Sequence, residues 1–208
     1  TTFEVKVVTE TQNFTDSVTV NVVNYDPSEN WRFLITELLP NPDVVSDTIG
    51  EYIELTNSFP FDLLIEGWQI GDDSTLYTFS DGFTIHAYSS IIIAKDAAGF
   101  KSTYGVDADI ELAIALKNTG DFVQLLDNRD NYIDVVAYGI TAPDGSEQLD
   151  IPDAGEAILR DPLHIDTNTK NDFVFGNPDP KGTVPQVPLS TAVPSSVEQS
   201  EISSATYV

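Results

Sequence analysis

Cysteine and methionine are both missing from this 208-residue chain, and nine lysines and arginines face 34 aspartates and glutamates, a formal charge of −25. Without cysteine there can be no disulfide, no thiolate nucleophile and no zinc site built on sulfur. The shortage of cations makes a surface that repels phosphate backbones and anionic lipid heads, so neither nucleic acid nor a membrane surface is expected as a direct partner. No apolar run approaches the length that spans a bilayer, and no membrane insertion of this chain is expected. Only two histidines are present, His86 and His164. There is no Gly-x-Ser-x-Gly turn, no glycine-rich phosphate cradle and no HExxH pair, so hydrolase, nucleotide and zinc-protease chemistry have no foothold. His164, between Asp161 and Asp166, is expected to be solvated. The start at Thr1 reads as a processed end or the cut end of a larger protein, and a removed export signal fits either case.

Apolar residues make up 41% of the chain, enough for a real core. Alternation divides it into four stretches. Residues 1–25 read as a β-hairpin arm, with Phe3, Val5 and Val7 on one face and, after a turn at Thr11 to Asp16, Val18, Val20 and Val22 on another. A lone hairpin is marginal in water, so its oily side needs cover. Asn13-Phe14-Thr15 is an acceptor sequon in that turn. Residues 26–30 form a linker, with Pro27 ending the pairing. Residues 31–181 carry many short strands with turn signals between them, which indicates an antiparallel sandwich. Residues 182–208 turn to proline, valine, serine and threonine and read as an extended tail, in which Ile202 to Val208 has the composition of an edge strand.

In the third stretch the strands are placed at Phe33 to Leu38, Tyr52 to Asn57, Leu63 to Ile65, Trp68 to Ile70, Tyr77 to Phe79, Ile91 to Ala94, Phe122 to Leu126, Tyr132 to Tyr138 and Phe173 to Phe175. Strict alternation would put Phe33, Ile35 and Glu37 on one face and Leu34, Thr36 and Leu38 on the other. Asp96 before Ala97, Phe100 and Tyr104, with Gly105 behind, marks one short capped helix. Trp68 is the expected anchor of the core, and Trp31 a wedge between arm and sandwich.

The run FLITELLPNP, EYIELTN, then Phe61 to Ile65 leading into GWQIGDD, resembles the lamin tail domain family. The likeness continues to Tyr138 and ends in DFVFGNPDPKGTVPQ, similar to the family's closing segment, so it covers about residues 30–185. It implies an immunoglobulin-like antiparallel β-sandwich with one short helix, and a protein-interaction module of a secreted or surface protein. The arm in turn resembles the last strands of a polycystic-kidney-type or cadherin-like surface module.

Glu37 and Glu54 stand at strand positions that the family also fills with acids. Paired carboxylates can do acid–base work only if they converge across a cleft, and accepting backbone N–H bonds is the expected role here. Acidic loops could hold calcium through carboxylate oxygens. Asp43, Asp47 and Glu51 form the preferred set, ahead of Asp72 and Asp73, of Asp107, Asp109 and Glu111, and of Asp127, Asp130 and Asn131, where Arg129 opposes a cation. None matches the twelve-residue calcium loop, and no other cofactor is expected.

The sequence is therefore read as a non-enzymatic, secreted or cell-surface subunit that assembles with copies of itself, in a filament or array, by strand addition. Phe3, Val5, Val7, Val18, Val20, Val22, Ile202 and Tyr207 are the expected contacts. The competing reading is an accessory module that binds protein, glycan or, with calcium, another surface.

Overall fold

The computed structural model describes residues 6–8, 13–15, 32–72, 74–182 and 184, the first two segments by backbone alone. Phe3, Val5, Val18, Val20, Val22, the 26–30 linker, Trp31, Asp73, Ile202 and Tyr207 lie outside the described residues. In the arm, β1 (Lys6–Val8) pairs antiparallel with β2 (Asn13–Thr15), Val7 opposite Phe14. The sequon Asn13 to Thr15 is therefore strand rather than turn. Phe14 and Thr15 are an aromatic and a β-branched residue, types that favour strands over turns. Among the described residues these two strands form a sheet of their own.

The body contains β3 (Phe33–Leu39), α1 (Asp47–Gly50), β4 (Tyr52–Asn57), β5 (Leu63–Leu64), β6 (Gln69–Gly71), β7 (Leu76–Thr78), β8 (Thr84–Ile85), β9 (Ser89–Ala94), α2 (Ala97–Tyr104), β10 (Ile110–Glu111), β11 (Asp121–Leu126), β12 (Tyr132–Tyr138), β13 (Ala157–Arg160) and β14 (Phe173–Gly176). A six-stranded sheet has the order β10-β9-β4-β3-β13-β14, a four-stranded sheet the order β12-β11-β6-β7, and β5 pairs with β8. This is the immunoglobulin-like all-β sandwich. Its main core, between the two large sheets, joins Phe33, Ile35, Leu38, Ile53 and Leu55 to Ile70, Val123, Leu125 and Val136.

Strict alternation fails on β3. Ile35 pairs with Leu55, yet Glu37 pairs with Glu54, so Thr36 is the extra residue of a β-bulge. The bulge resets the period: Leu38, not Glu37, joins Phe33 and Ile35 in the inner core. Leu39 packs on the outer face with Tyr52, Ile92 and Phe100. That outer face is covered too, which is why β3 and β4 are buried along their whole length.

The cover is α2. Asp96 accepts the Gly99 N–H at its N-terminus, and Gly105, at φ 76°, closes it in the left-handed conformation that glycine takes without strain. Phe100 and Tyr104 stand edge-on to Tyr52 and tilted against each other. A second helical turn, α1, appears where no helix is expected from β-branched Val45, Thr48 and Ile49; the Tyr104 hydroxyl donates to the Gly50 carbonyl at 3.2 Å and holds it there. Trp68 is half-buried and tilted against Phe33 at the margin of the core, because it follows the Gly67 turn at the start of β6. Tyr52, Tyr138, Phe79 and Phe100 fill the interior instead.

Candidate functional site

The bulge turns Thr36 and Glu37 toward the outer face, beside Glu54 and Thr56 of the neighbouring strand. Two acids thus sit side by side beneath the sheet's covering layer, and both are buried. The Glu54 Oε1 accepts the hydroxyls of Thr36, at 2.8 Å, and Thr56, at 3.2 Å. Thr56 is in turn 2.7 Å from the Ser90 hydroxyl on β9. The Glu37 Oε1 accepts the Tyr52 hydroxyl.

Two further donors come from residues 178–182, a strap that follows β14. The Asp179 N–H donates to Glu37 at 2.9 Å and the Lys181 N–H to Glu54 at 2.6 Å. The Lys181 ammonium then reaches Asp109 at 2.8 Å, and Asp109 itself accepts the Ile92 N–H of β9. The strap therefore leaves one edge of the six-stranded sheet, crosses β3 and β4, and is tied down near the other edge. Under it lies a partly open cavity of about 140 Å³ bordered by Thr36, Glu37, Glu54, Leu163 and Gly182.

Burial is the main electrostatic influence. It pushes the Glu37 carboxyl up to about 7, against the pull of the Tyr52 and Asp179 donors and with help from the Glu54 charge. Burial also raises Glu54, while its strap and hydroxyl donors pull it down. The Tyr52 hydroxyl is held far above its ordinary range by burial and by Glu37. Raised neighbouring carboxyls are a pattern that catalytic sites use. Here the Tyr52 hydroxyl and the Asp179 N–H both go to the Glu37 Oε1, while Thr36, Thr56 and the Lys181 N–H occupy both oxygens of Glu54, so the pair anchors the strap to the sheet. Accepting backbone N–H bonds is the role the sequence suggested for both.

A second buried constellation was not foreseen from the sequence. Arg160 on β13 sends Nη2 to both carboxylate oxygens of Asp134 on β12, at 2.8 and 2.7 Å, and both side chains are about 1–2% exposed. The Arg160 Nε donates to the Ile35 carbonyl and the Ile35 N–H donates to Asp134. β13 pairs with β3 only at Leu38 and Glu37, so beside the bulge the ion pair takes over the backbone groups of Ile35 and ties the two sheets together. The guanidinium also stands 4.4 Å above the Phe173 ring. Burial pushes Asp134 up to about 6 while the Arg160 charge and hydrogen bonds oppose the rise.

The preferred calcium set is not brought together. Asp43 is exposed and packs over Gly155, and Asp47 is exposed in α1 with Asn118 3.4 Å away. Glu51 is buried, its carboxyl raised to about 7 by burial and by the Asp47 charge. Among the described residues no three His, Asp or Glu side chains are placed to hold a metal. The other loops use their acids locally. Asp72 accepts the Ser74 and Thr75 N–H groups, Asp107 pairs with Lys101, Glu111 accepts the Ala97 N–H, and Asp127 accepts the N–H groups of Arg129 and Asn131. Asn57 is a buried turn organiser, its amide donating to the carbonyls of Phe61, Ile85 and His86. His164, expected in solvent, is half-buried, and its Nδ1 is enclosed without a partner among the described residues.

No curated protein matches this chain. Residues 15–139, more than half of it, match the family model of the lamin tail domain, and the chain belongs to that family. The match begins in β2 and ends after β12, whereas the folded body continues: β13 and β14 complete the six-stranded sheet. The fold and the family together make this an immunoglobulin-like interaction module.

Proposed function

We propose that the chain is a non-enzymatic structural subunit, exported to the cell surface or beyond, that joins copies of itself into a filament or array by strand addition through its terminal arms. One observation carries this reading: among the described residues, β1 and β2 form a two-stranded sheet separate from both sheets of the body. Such a ribbon is marginal alone, and pairing with another chain satisfies its backbone and its apolar side chains together. The strap and hydroxyl donors that Glu37 and Glu54 accept support a role without catalysis. The charge of −25 supports a neutral, non-phosphate contact and a surface that stays soluble until the arms engage.

The test is sedimentation velocity with negative-stain microscopy on the full chain and on a variant with Val18, Val20 and Val22 all changed to lysine. The wild type should form concentration-dependent assemblies and the variant should stay monomeric with an unchanged melting temperature. A wild type that remains monomeric throughout would sink the subunit reading and leave an accessory module that binds another protein or a glycan.

A further inference from the structure

The two edges of the six-stranded sheet are built differently. At one, β10 is only two residues long, and the Asp109 carboxylate accepts the Ile92 N–H of β9 at 2.7 Å, closing the ladder with a charge. At the other, β14 is Phe-Val-Phe-Gly, with no lysine, proline or bulge of the kind that guards an exposed edge.

The register shows which groups of β14 are open. Arg160 faces Phe173 and Leu159 faces Val174, while the Asp161 N–H donates to the Asp172 carbonyl at 2.9 Å. Hydrogen-bonded and non-bonded pairs alternate in an antiparallel ladder. Leu159/Val174 and Ala157/Gly176 are therefore the bonded pairs, and the backbone groups of Phe173 and Phe175 point away from β13. The Phe173 N–H is taken by the Lys170 carbonyl in the preceding 3-10 turn. The Phe173 carbonyl and both Phe175 groups have no partner among the described residues. Val174 and Phe175 are 47% and 39% exposed beside them. After Gly176 the chain turns over the outer face to Glu37 and Glu54, away from this edge.

We infer that β14 is the acceptor for residues 17–23 of a second copy, an inference that rests on the strand-addition reading. Within one chain β14 has no outer neighbour among the described residues. Charge and side-chain alternation together select the occupant. In a chain of −25 most segments would bring like charges together against the uncharged residues 173–178; residues 17–25, 182–197 and 202–208 are the longest uncharged stretches outside the body, and of these 182–197 is broken by prolines and 202–208 lacks the regular valine alternation of 17–23. Ser17 to Val23 also alternates in valine, so one face can lie on Val174 or Phe175 while its backbone meets the three open groups.

Phe175→Pro tests this in the full chain, because it removes an outward N–H that β13 does not use. Phe175→Lys is the second variant, placing a guarding charge without touching the backbone. Sedimentation over a concentration series and hydrogen exchange at the Phe175 amide of the wild type are the readouts. The inference expects both variants to weaken association at least tenfold with unchanged melting temperature. It also expects a synthetic peptide of residues 17–24 to dissociate the wild-type assembly and keep the Phe175 amide protected. Variants that associate like the wild type would overturn the acceptor edge and leave assembly through another surface. A monomeric wild type with a protected Phe175 amide would overturn the second copy in favour of the chain's own segment. A monomeric wild type with fast exchange there would overturn both this inference and the subunit reading.

Discussion

Glu37 is a carboxyl whose burial decides how the protein responds to pH. Its ordinary value of 4.5 rises to about 7 in the folded chain, so between those pH values the native state holds a proton that the unfolded chain has released. The stabilisation is complete below about pH 4.5 and is lost as pH rises through about 7. Glu51 moves in the same direction and to a similar value. Urea unfolding should therefore show falling stability from about pH 4.5 to about 7.5, and Glu37→Gln, neutral throughout, should flatten that fall by roughly 2–3 kcal/mol. An equal pH slope in the variant would mean that Glu37 is ionised in the fold. Arg160 tests the opposite situation, a charge kept buried by its partner. Arg160→Met removes the cation that offsets the burial of Asp134, so that Asp134 must stay as an unpaired buried charge or take up a proton, and strips the Ile35 carbonyl of its donor; it should cost about 3–5 kcal/mol. Asp134→Leu combined with Arg160→Met should cost clearly less than the two single losses added, as measured by a double-mutant cycle.

At the scale of elements, α2 matters because it covers the outer face of the large sheet. Asp96→Ala removes the acceptor of the Gly99 N–H and should lower stability by about 1 kcal/mol, read as a shift of the denaturant midpoint at unchanged slope. This helix was legible in the sequence because all its signals are local: a capping aspartate, an apolar face, a glycine stop. So were the long strands, which alternate strongly. Thr84–Ile85, Ile110–Glu111 and Ala157–Arg160 were missed, since strands of two to four residues carry too few alternations to stand out. The face of Glu37 was misplaced for another reason. A bulge is a tertiary solution, held here by Asp134 and Arg160, which are 99 and 125 residues from Ile35 along the chain. No window of sequence contains both. That Glu37 and Glu54 accept backbone N–H bonds followed from the cost of burying acids, but the donors, Asp179 and Lys181, are 142 and 127 residues away from their acceptors and could only be seen in the fold.

At the scale of the whole molecule, charge and contact oppose each other. Two copies that each carry −25 repel, while the proposed joint between residues 17–23 and β14 would be neutral and would gain from buried main-chain bonds and apolar side chains. Salt removes the first effect and leaves the second nearly unchanged: the screening length falls from about 30 Å to about 3 Å between about 0.01 M and about 1 M. Association measured by sedimentation should therefore strengthen steadily with sodium chloride, the reverse of the behaviour of a joint made of ion pairs. Divalent cations separate screening from binding. Magnesium and calcium at equal ionic strength should strengthen association alike and change the melting temperature alike, because Asp43, Asp47 and Glu51 do not converge on one point. A rise in melting temperature specific to calcium and reversed by chelation would instead require a calcium site, and the surface would then act as a cation-dependent contact rather than a screened one.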